Sequence, residues 1–193
     1  MCHGMLSDSR LWGFLLECDR DLAREARQAG CAFCGSPLHR ADFPRKPRGG
    51  PENLPPEYGS RFSLCCSADD CRRRLTPPSV RFLGRKVYLK ALIILVTSMR
   101  QGPTPQRLCE LHRLFGVARR TLGRWQAWWQ EFFPRTLFWK AARARFMPPL
   151  RDDALVWELS RVFDIASSVE KLLRLLRFLC PITTRLGLAL HSS

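Results

Sequence analysis

The sequence has few of the residues that catalytic sites use. It has 17 acidic residues against 32 basic ones, and its two tyrosines have no constellation of histidine and arginine beside them. The four histidines stand alone, whereas a rolling-circle nuclease needs two of them one residue apart. No glycine-rich nucleotide-binding loop is present either. These absences favour a protein that is not an enzyme.

Long apolar runs are missing as well. The most apolar run covers residues 91–96, which is far too short to span a bilayer, and Arg174 and Arg177 interrupt the leucine-rich end. A secretory signal has a basic stretch followed by an apolar core, and the N-terminus has neither. We therefore expect a cytoplasmic protein without a membrane partner, whose nine cysteines stay reduced and form no disulfide framework.

The chain is rich in positive charge, which is concentrated in its middle. Residues 76–150 hold 14 basic and 2 acidic residues, a net charge of +12 out of +15 for the whole chain. A charge this concentrated attracts polyanions, with an affinity that falls steeply as salt is added. The pattern therefore predicts a nucleic acid partner, and a solvated basic surface is the alternative.

The cysteines fall into two groups with the spacing of metal ligands. Two residues separate Cys31 from Cys34, Gly35 follows, and a second group of three cysteines lies within 65–71. Four such thiolates can form the tetrahedral site of structural zinc, which leaves no position for a reactive water and can fold a segment without a core of its own. Buried free thiols and a redox pair are the alternatives. The predicted zinc ligands are Cys31, Cys34, Cys66 and Cys71, with Cys65 as the substitute for Cys66, while His39 is expected to be an exposed loop residue.

Residues 108–127 have the pattern of a helix-turn-helix. Apolar residues recur at helical spacing, and Gly116 lies where a tight turn between two helices needs a positive φ. Trp125 and Trp129 share that spacing, so they are expected in the core rather than stacked on bases. The second helix presents long donors suited to guanine edges and phosphates. We assign Arg119, Arg120 and Arg124 to the major groove of double-stranded DNA, and Thr121, Lys86, Lys90, Arg107 and Arg113 to its phosphates.

The order of these motifs resembles the DNA-binding front end of bacterial insertion-sequence transposases, in which a zinc ribbon precedes a helix-turn-helix. The resemblance depends on Cys31-x-x-Cys34-Gly35, on the knuckle from Cys66 to Cys71 with Arg72-Arg73-Arg74 behind it, and on residues 117–125. It covers about residues 31–130. The resemblance implies recognition of element ends or of an operator, and not strand transfer by itself.

The rest of the chain lacks the pattern of a DDE transposase. Such an enzyme holds two metal ions with three carboxylates on an RNase-H-like sheet. The acidic residues after the helix-turn-helix fall on predicted helices or helix starts, in too few residues to build that sheet. We expect a mobile-element-related regulator or accessory module that binds DNA in the nucleoid. The alternatives are a truncated or split transposase that needs a catalytic partner, and a zinc-ribbon adaptor that binds RNA or protein.

These patterns predict a mainly α fold with a small zinc-ribbon-like β insert, a three-helix helix-turn-helix core and C-terminal helices. The last helix is expected to pack on the preceding one, with formation of a homodimer or docking of a partner transposase as the alternative. A strand is expected where Phe62 and Leu64 alternate with polar residues. Residues 44–51 are interpreted as a flexible basic arm that forms a plain ribbon loop, with contact to the minor groove of DNA as the alternative. The predicted domains are an N-terminal helix (1–30), the insert (31–80), the DNA-binding domain (81–147) and a helical region (148–193). Helices are predicted over 8–28, 84–99, 106–115, 118–132, 135–146, 153–164 and 168–180, the last opened by a capping box at Ser167 and Glu170.

Overall fold

Most of the described residues are helical and a few form two small antiparallel sheets, so the predicted mainly α class is confirmed. The computed structural model describes residues 6, 8–50, 54–83, 86, 88–97, 104–165 and 168–184. The helices in these residues are α1 Ser9–Gln28, α2 Lys90–Thr97, α3 Pro105–Phe115, α4 Arg119–Ala127, α5 Leu137–Ala142, α6 Leu155–Val162 and α7 Val169–Phe178. The strands are β1 Leu38–Arg40, β2 Phe43–Pro44, β3 Ser60–Arg61, β4 Leu64–Cys66 and β5 Arg74–Leu75.

Helix α1 has sequence signals for both of its ends. Asp8 is the N-cap, and its carboxylate accepts a hydrogen bond from the backbone N–H of Arg10 at 2.9 Å. Gly30 follows the last turn with a φ of 73°, a conformation that favours glycine. Trp12 and several leucines bury one face of the helix. The predicted helix over 8–28 is confirmed.

Between α1 and α2 the chain forms two small sheets. One has the strand order β1–β4–β5, and the other pairs β2 with β3. The expected alternation of buried and exposed residues around Phe62 is wrong, because Arg61 and Ser63 beside it are buried too. The guanidinium of Arg61 is tolerated inside because it donates to the backbone carbonyl of Pro77. The strand that enters the cysteine pair begins only at Leu64.

The buried helix α2 is shorter than the predicted helix over 84–99. Tyr88 and Leu89 in front of it are extended and pair with other segments, so the helix begins at Lys90. Every residue of α2 is buried, as its apolar character predicts. The other residues of the predicted helix, 84, 85, 87, 98 and 99, lie outside the described residues.

Helices α3 and α4 are joined by a short turn at Gly116. This glycine has a φ of 63° and ends α3 in the left-handed conformation that the sequence predicts for it. Helix α4 begins after Ala118 without a side-chain cap, and beyond its end the backbone widens into a π-helical turn over Trp128–Phe132. The predicted helix over 106–115 is confirmed, and the one over 118–132 is correct only in its first part.

Of the C-terminal helices, α6 and α7 both contact α2. The predicted helices over 135–146 and 153–164 appear as α5 and α6, with a short 3₁₀ turn after α5 and another before α6. Helix α7 confirms the predicted helix over 168–180 and contacts α2. Its N-cap is Ser168, which accepts from the N–H of Lys171 at 3.2 Å, whereas the predicted cap Ser167 lies outside the described residues.

One hydrophobic core joins the N-terminal helix to the rest of the chain. Trp12 of α1 belongs to the same buried cluster as Trp125, Trp129 and the leucines of α7, which confirms the core position predicted for the two later tryptophans. A buried ion pair crosses this core, with the Asp19 carboxylate 2.8 Å from the Arg81 guanidinium. The cysteine-bearing sheet has a separate and much smaller core, formed by Cys31, Leu38, Leu64 and Cys66.

The turn at Gly116 leads to a first prediction. We expect Gly116→Ala to destabilise the protein by about 1–2 kcal/mol, because a side chain is disfavoured in left-handed backbone. Gly123→Ala is the matched control: its Cβ would meet open space within α4, and we expect a gain of about 0.5–1 kcal/mol. Urea denaturation of both variants measures the difference, and equal effects would show that the turn does not require glycine.

Candidate metal centre and basic surface

Four cysteine sulfurs converge beside the three-stranded sheet. The sulfurs of Cys31, Cys34, Cys66 and Cys71 all lie within 4.8 Å of one another. The Cys34 and Cys66 sulfurs are 3.4 Å apart, and those of Cys31 and Cys71 are 3.8 Å apart. Sulfurs around a tetrahedral zinc, with bonds of about 2.3 Å, stand about 3.8 Å from one another. The cluster can therefore hold a metal ion.

Two tight turns bring these cysteines together. In the first turn the N–H of Gly35 donates to the carbonyl of Cys31 at 2.8 Å, and Gly35 has a φ of 73°. In the second turn the N–H of Cys71 donates to the carbonyl of Ala68 at 3.1 Å. The antiparallel pairing of β1 with β4 holds the two turns side by side. Local backbone geometry thus places sulfurs that are distant in sequence around one point.

The cluster includes Cys66 and not its neighbour Cys65. Adjacent residues of a strand point to opposite faces of the sheet, so only one of the two sulfurs can face the other cysteines. The Cys65 thiol instead donates to the backbone carbonyl of Arg72 at 3.5 Å. His39, which pairs with Cys65 across the sheet, is exposed and outside the cluster. The geometry selects Cys66 from the two alternatives that the sequence leaves open.

The environment changes the acidity of the clustered thiols in opposite directions. Hydrogen bonds from the side chain and the backbone of Ser36 lower the pKa of Cys34 to about 6, so this thiol is ionised at neutral pH. Burial raises the pKa of Cys66 to about 12. A metal ion would meet a ready thiolate at Cys34 and displace a proton from Cys66.

A second candidate site is the arginine-rich exposed side of α3 and α4. Arg119, Arg120 and Arg124 are exposed on α4, and Arg113 is exposed on α3. None of these four pairs with a carboxylate of any residue that the structure describes. The predicted phosphate contact Arg107 is exposed too, in the first turn of α3. Elsewhere on the surface, arginines paired with a carboxylate include Arg24, Arg40, Arg151 and Arg174.

Lys86 lies at the edge of this surface in a half-buried position. Its Nζ is 5.2 Å from the centre of the Trp128 ring, a distance at which the ring face attracts a cation. Burial and, to a smaller extent, the nearby charge of Arg124 lower the pKa of Lys86. The repulsion between these two cations would be relieved by an anion bound beside them.

Two of the predicted phosphate contacts do not face solvent. Lys90 is 0% exposed, and its ammonium donates to the carbonyl of Ser79 at 2.9 Å, so its assignment as a DNA contact is wrong. Burial also lowers the pKa of Lys90. Thr121 is nearly buried as well, and its hydroxyl accepts a hydrogen bond from the Arg124 guanidinium at 3.2 Å. Thr121 therefore orients an arginine instead of projecting towards a phosphate.

Sequence reasoning missed two residues that fix this surface. The hydroxyl of Tyr88 donates to the carbonyl of Gly116 at 2.7 Å, and its ring packs edge-on against Trp125 at 5.0 Å between centroids. The guanidinium of Arg45 donates to the carbonyl of Lys86 at 2.9 Å. The first bond joins residues that are 28 positions apart in the sequence, and the second joins residues that are 41 positions apart. No local sequence pattern marks either bond.

Comparison with known proteins finds no match to a protein-family model, a curated protein or a solved structure. The resemblance to insertion-sequence transposases therefore stays a prediction. No helix in the described part of the chain is both long enough and apolar enough to cross a membrane.

Proposed function

We propose that this chain is a zinc-stabilised, sequence-specific DNA-binding protein related to mobile elements, acting as a regulator or an accessory recognition module. In this proposal α3, the turn at Gly116 and α4 form a helix-turn-helix, and α4 enters the major groove. The observation that carries it is the row of exposed arginines on α4, for which the described part of the chain provides no carboxylate partner. A guanidinium with no acid to neutralise it is free to pair with a phosphate or a guanine edge.

Zinc is the metal that we propose for the four cysteines. Four soft thiolates at tetrahedral separations suit this ion, and four protein ligands leave no position for a reactive water. The role would be structural, because the sheet beside the site has only a very small core of its own. Zinc would fold the segment that leads into the DNA-binding helices.

The arginines of α4 should determine sequence preference. We expect Arg120→Ala with Arg124→Ala to weaken binding to the preferred duplex strongly, since each bidentate arginine–guanine contact contributes about 1–3 kcal/mol of discrimination. The preferred duplex would be recovered by selection from a random oligonucleotide pool. Affinity for a scrambled duplex should fall much less, because phosphate contacts carry no sequence information.

Arg151→Ala with Arg174→Ala is the matched control for this test. It removes the same charge from two exposed arginines that already pair with carboxylates. We expect this variant to keep the sequence preference of the wild type. An equal loss of affinity for both duplexes in the α4 variant would remove Arg120 and Arg124 from base readout.

A second candidate function is an adaptor that binds RNA through the cysteine-bearing segment. One feature favours it: Phe33 is 68% exposed between two of the cysteines, and the Arg73 guanidinium lies 3.9 Å from its ring centre. Exposed aromatic and arginine pairs of this kind stack on unpaired bases. Competition among duplex DNA, single-stranded RNA and heparin decides between the candidates. Preference for the RNA, or for heparin, would contradict the DNA-binding proposal.

A further inference from the structure

The basic segment Arg45–Gly50 is fixed to the protein and is not a flexible arm. The N–H of Arg45 donates to the carbonyl of Gly59 at 2.7 Å, and the carbonyl of Arg48 accepts from the N–H of Leu89 at 2.9 Å. Gly49 has a φ of 84° and lies against α2, where an added Cβ would come within 2.1 Å of the Leu92 side chain. The interpretation of this segment as flexible is therefore wrong over its described residues.

The same segment is connected to the turn that begins α4. Arg48 pairs with Tyr88 in a β-bridge, and the hydroxyl of Tyr88 donates to the carbonyl of Gly116 at 2.7 Å. At the other end, the Arg45 guanidinium donates to the backbone carbonyl of Lys86, which lies at the edge of the arginine-rich surface and whose Nζ is 5.2 Å from the Trp128 ring. Through Tyr88 and Lys86, residues 45–50 are thus connected to the turn before α4 and to the edge of the arginine-rich surface.

Two cationic side chains of this segment have no anionic partner among the described residues. Lys46 and Arg48 are both exposed. Within the described ranges neither makes an ion pair or donates a side-chain hydrogen bond. Because the backbone of the segment is already held in place, binding an anion restricts mainly the two side chains, and the loss of conformational entropy is small.

We propose that Lys46 and Arg48 bind the phosphate backbone of double-stranded DNA next to the part that α4 reads. This inference depends on the proposed function and extends its contact surface to the segment between the two sheets. Neither residue reads bases. Each fixes the register of the duplex and adds a sequence-independent term to the affinity. The N-terminal half of the chain thereby contributes directly to DNA binding as well as holding metal.

Salt dependence tests this role. The variant Lys46→Ala with Arg48→Ala is compared with the full-length wild type on the selected duplex and on a scrambled duplex over a range of salt concentrations. Each lost phosphate contact lowers the slope of log affinity against log salt by about 0.9, so we expect the slope to fall by nearly two units. Affinity for both duplexes should fall by the same factor, and the ratio between them should stay unchanged.

The control variant is Arg151→Ala with Lys171→Ala, which also removes one arginine and one lysine from exposed ion pairs. It should leave the slope as in the wild type. Circular dichroism and metal content of each variant verify that the fold is kept. An unchanged slope in the Lys46 and Arg48 variant, or an equal fall in the control, overturns this inference alone. Absence of any duplex preference in the wild type overturns the proposed function, and this inference with it.

Discussion

Replacing Cys66 with serine is expected to abolish metal binding, while the same replacement at the adjacent Cys65 leaves it intact. Of these two neighbours, only Cys66 contributes its sulfur to the four-sulfur cluster, whereas the Cys65 thiol donates to the backbone carbonyl of Arg72. Loss of one ligand from a structural zinc site removes much of a binding free energy of about 10–16 kcal/mol. Elemental analysis of the two purified variants measures the metal content directly.

The structural consequence of Cys66→Ser should be local. The cluster around β1 and β4 has a core of only four buried residues, whereas α1 and the later helices share a large one. We expect hydrogen exchange to show loss of protection in residues 31–40 and 64–75, and retention of it in α2, in α7 and around Tyr58 and Phe62, which belong to the large core. Equal metal content in the Cys65 and Cys66 variants would contradict the ligand assignment. Unchanged protection of residues 31–40 and 64–75 after metal loss would contradict the folding role.

Replacing Asp19 with asparagine is expected to have the largest effect on the stability of the helical core. The Asp19 carboxylate accepts from the Ser79 hydroxyl at 2.5 Å, from the N–H of Val80 at 2.7 Å and from the Arg81 guanidinium at 2.8 Å. Both members of the ion pair are fully buried. Asparagine leaves the guanidinium charge inside the protein without a counter-charge, which costs about 3–5 kcal/mol.

Asp153→Asn is the matched control for the Asp19 variant. Asp153 also pairs with an arginine, Arg151, at 2.6 Å, but both side chains are mostly exposed. Exposed pairs contribute about 0–1 kcal/mol, because water and salt screen the charges. Urea denaturation, monitored by circular dichroism, gives the free energy of unfolding of each variant. Similar values in the two variants would show that the Arg81 charge is accommodated without Asp19.

Much of the helical fold can be predicted from the sequence, because its signals are local. Asp8 and Gly30 mark the ends of α1, and apolar spacing places Trp125 in the core. The beginning of α2 cannot be predicted in this way, since it depends on bridges that Tyr88 and Leu89 make with distant segments. Local sequence patterns therefore identify the helices, whereas pairing with distant segments determines where some of them begin.

The candidate sites are predictable to a similar extent. Spacing identifies the group of cysteines that could hold a metal ion, but only the register of β4 separates Cys66 from Cys65. Charge identifies the basic middle of the chain, but it does not reveal that Lys90 is buried. The partners of the Lys90 ammonium, Ser79 and Cys180, are 11 and 90 residues away, beyond the reach of any local pattern.

The contacts of Arg81 and Lys90 determine how this protein can be dissected. A fragment that begins at residue 81, where the sequence suggests a domain boundary, would lack both Asp19 and the Ser79 carbonyl. Arg81 would then lose its counter-charge and Lys90 its carbonyl acceptor, and the large core would lose the buried face of α1. The half that we propose to bind DNA is consequently not an independently folding unit, and a shortened chain made for expression should retain α1.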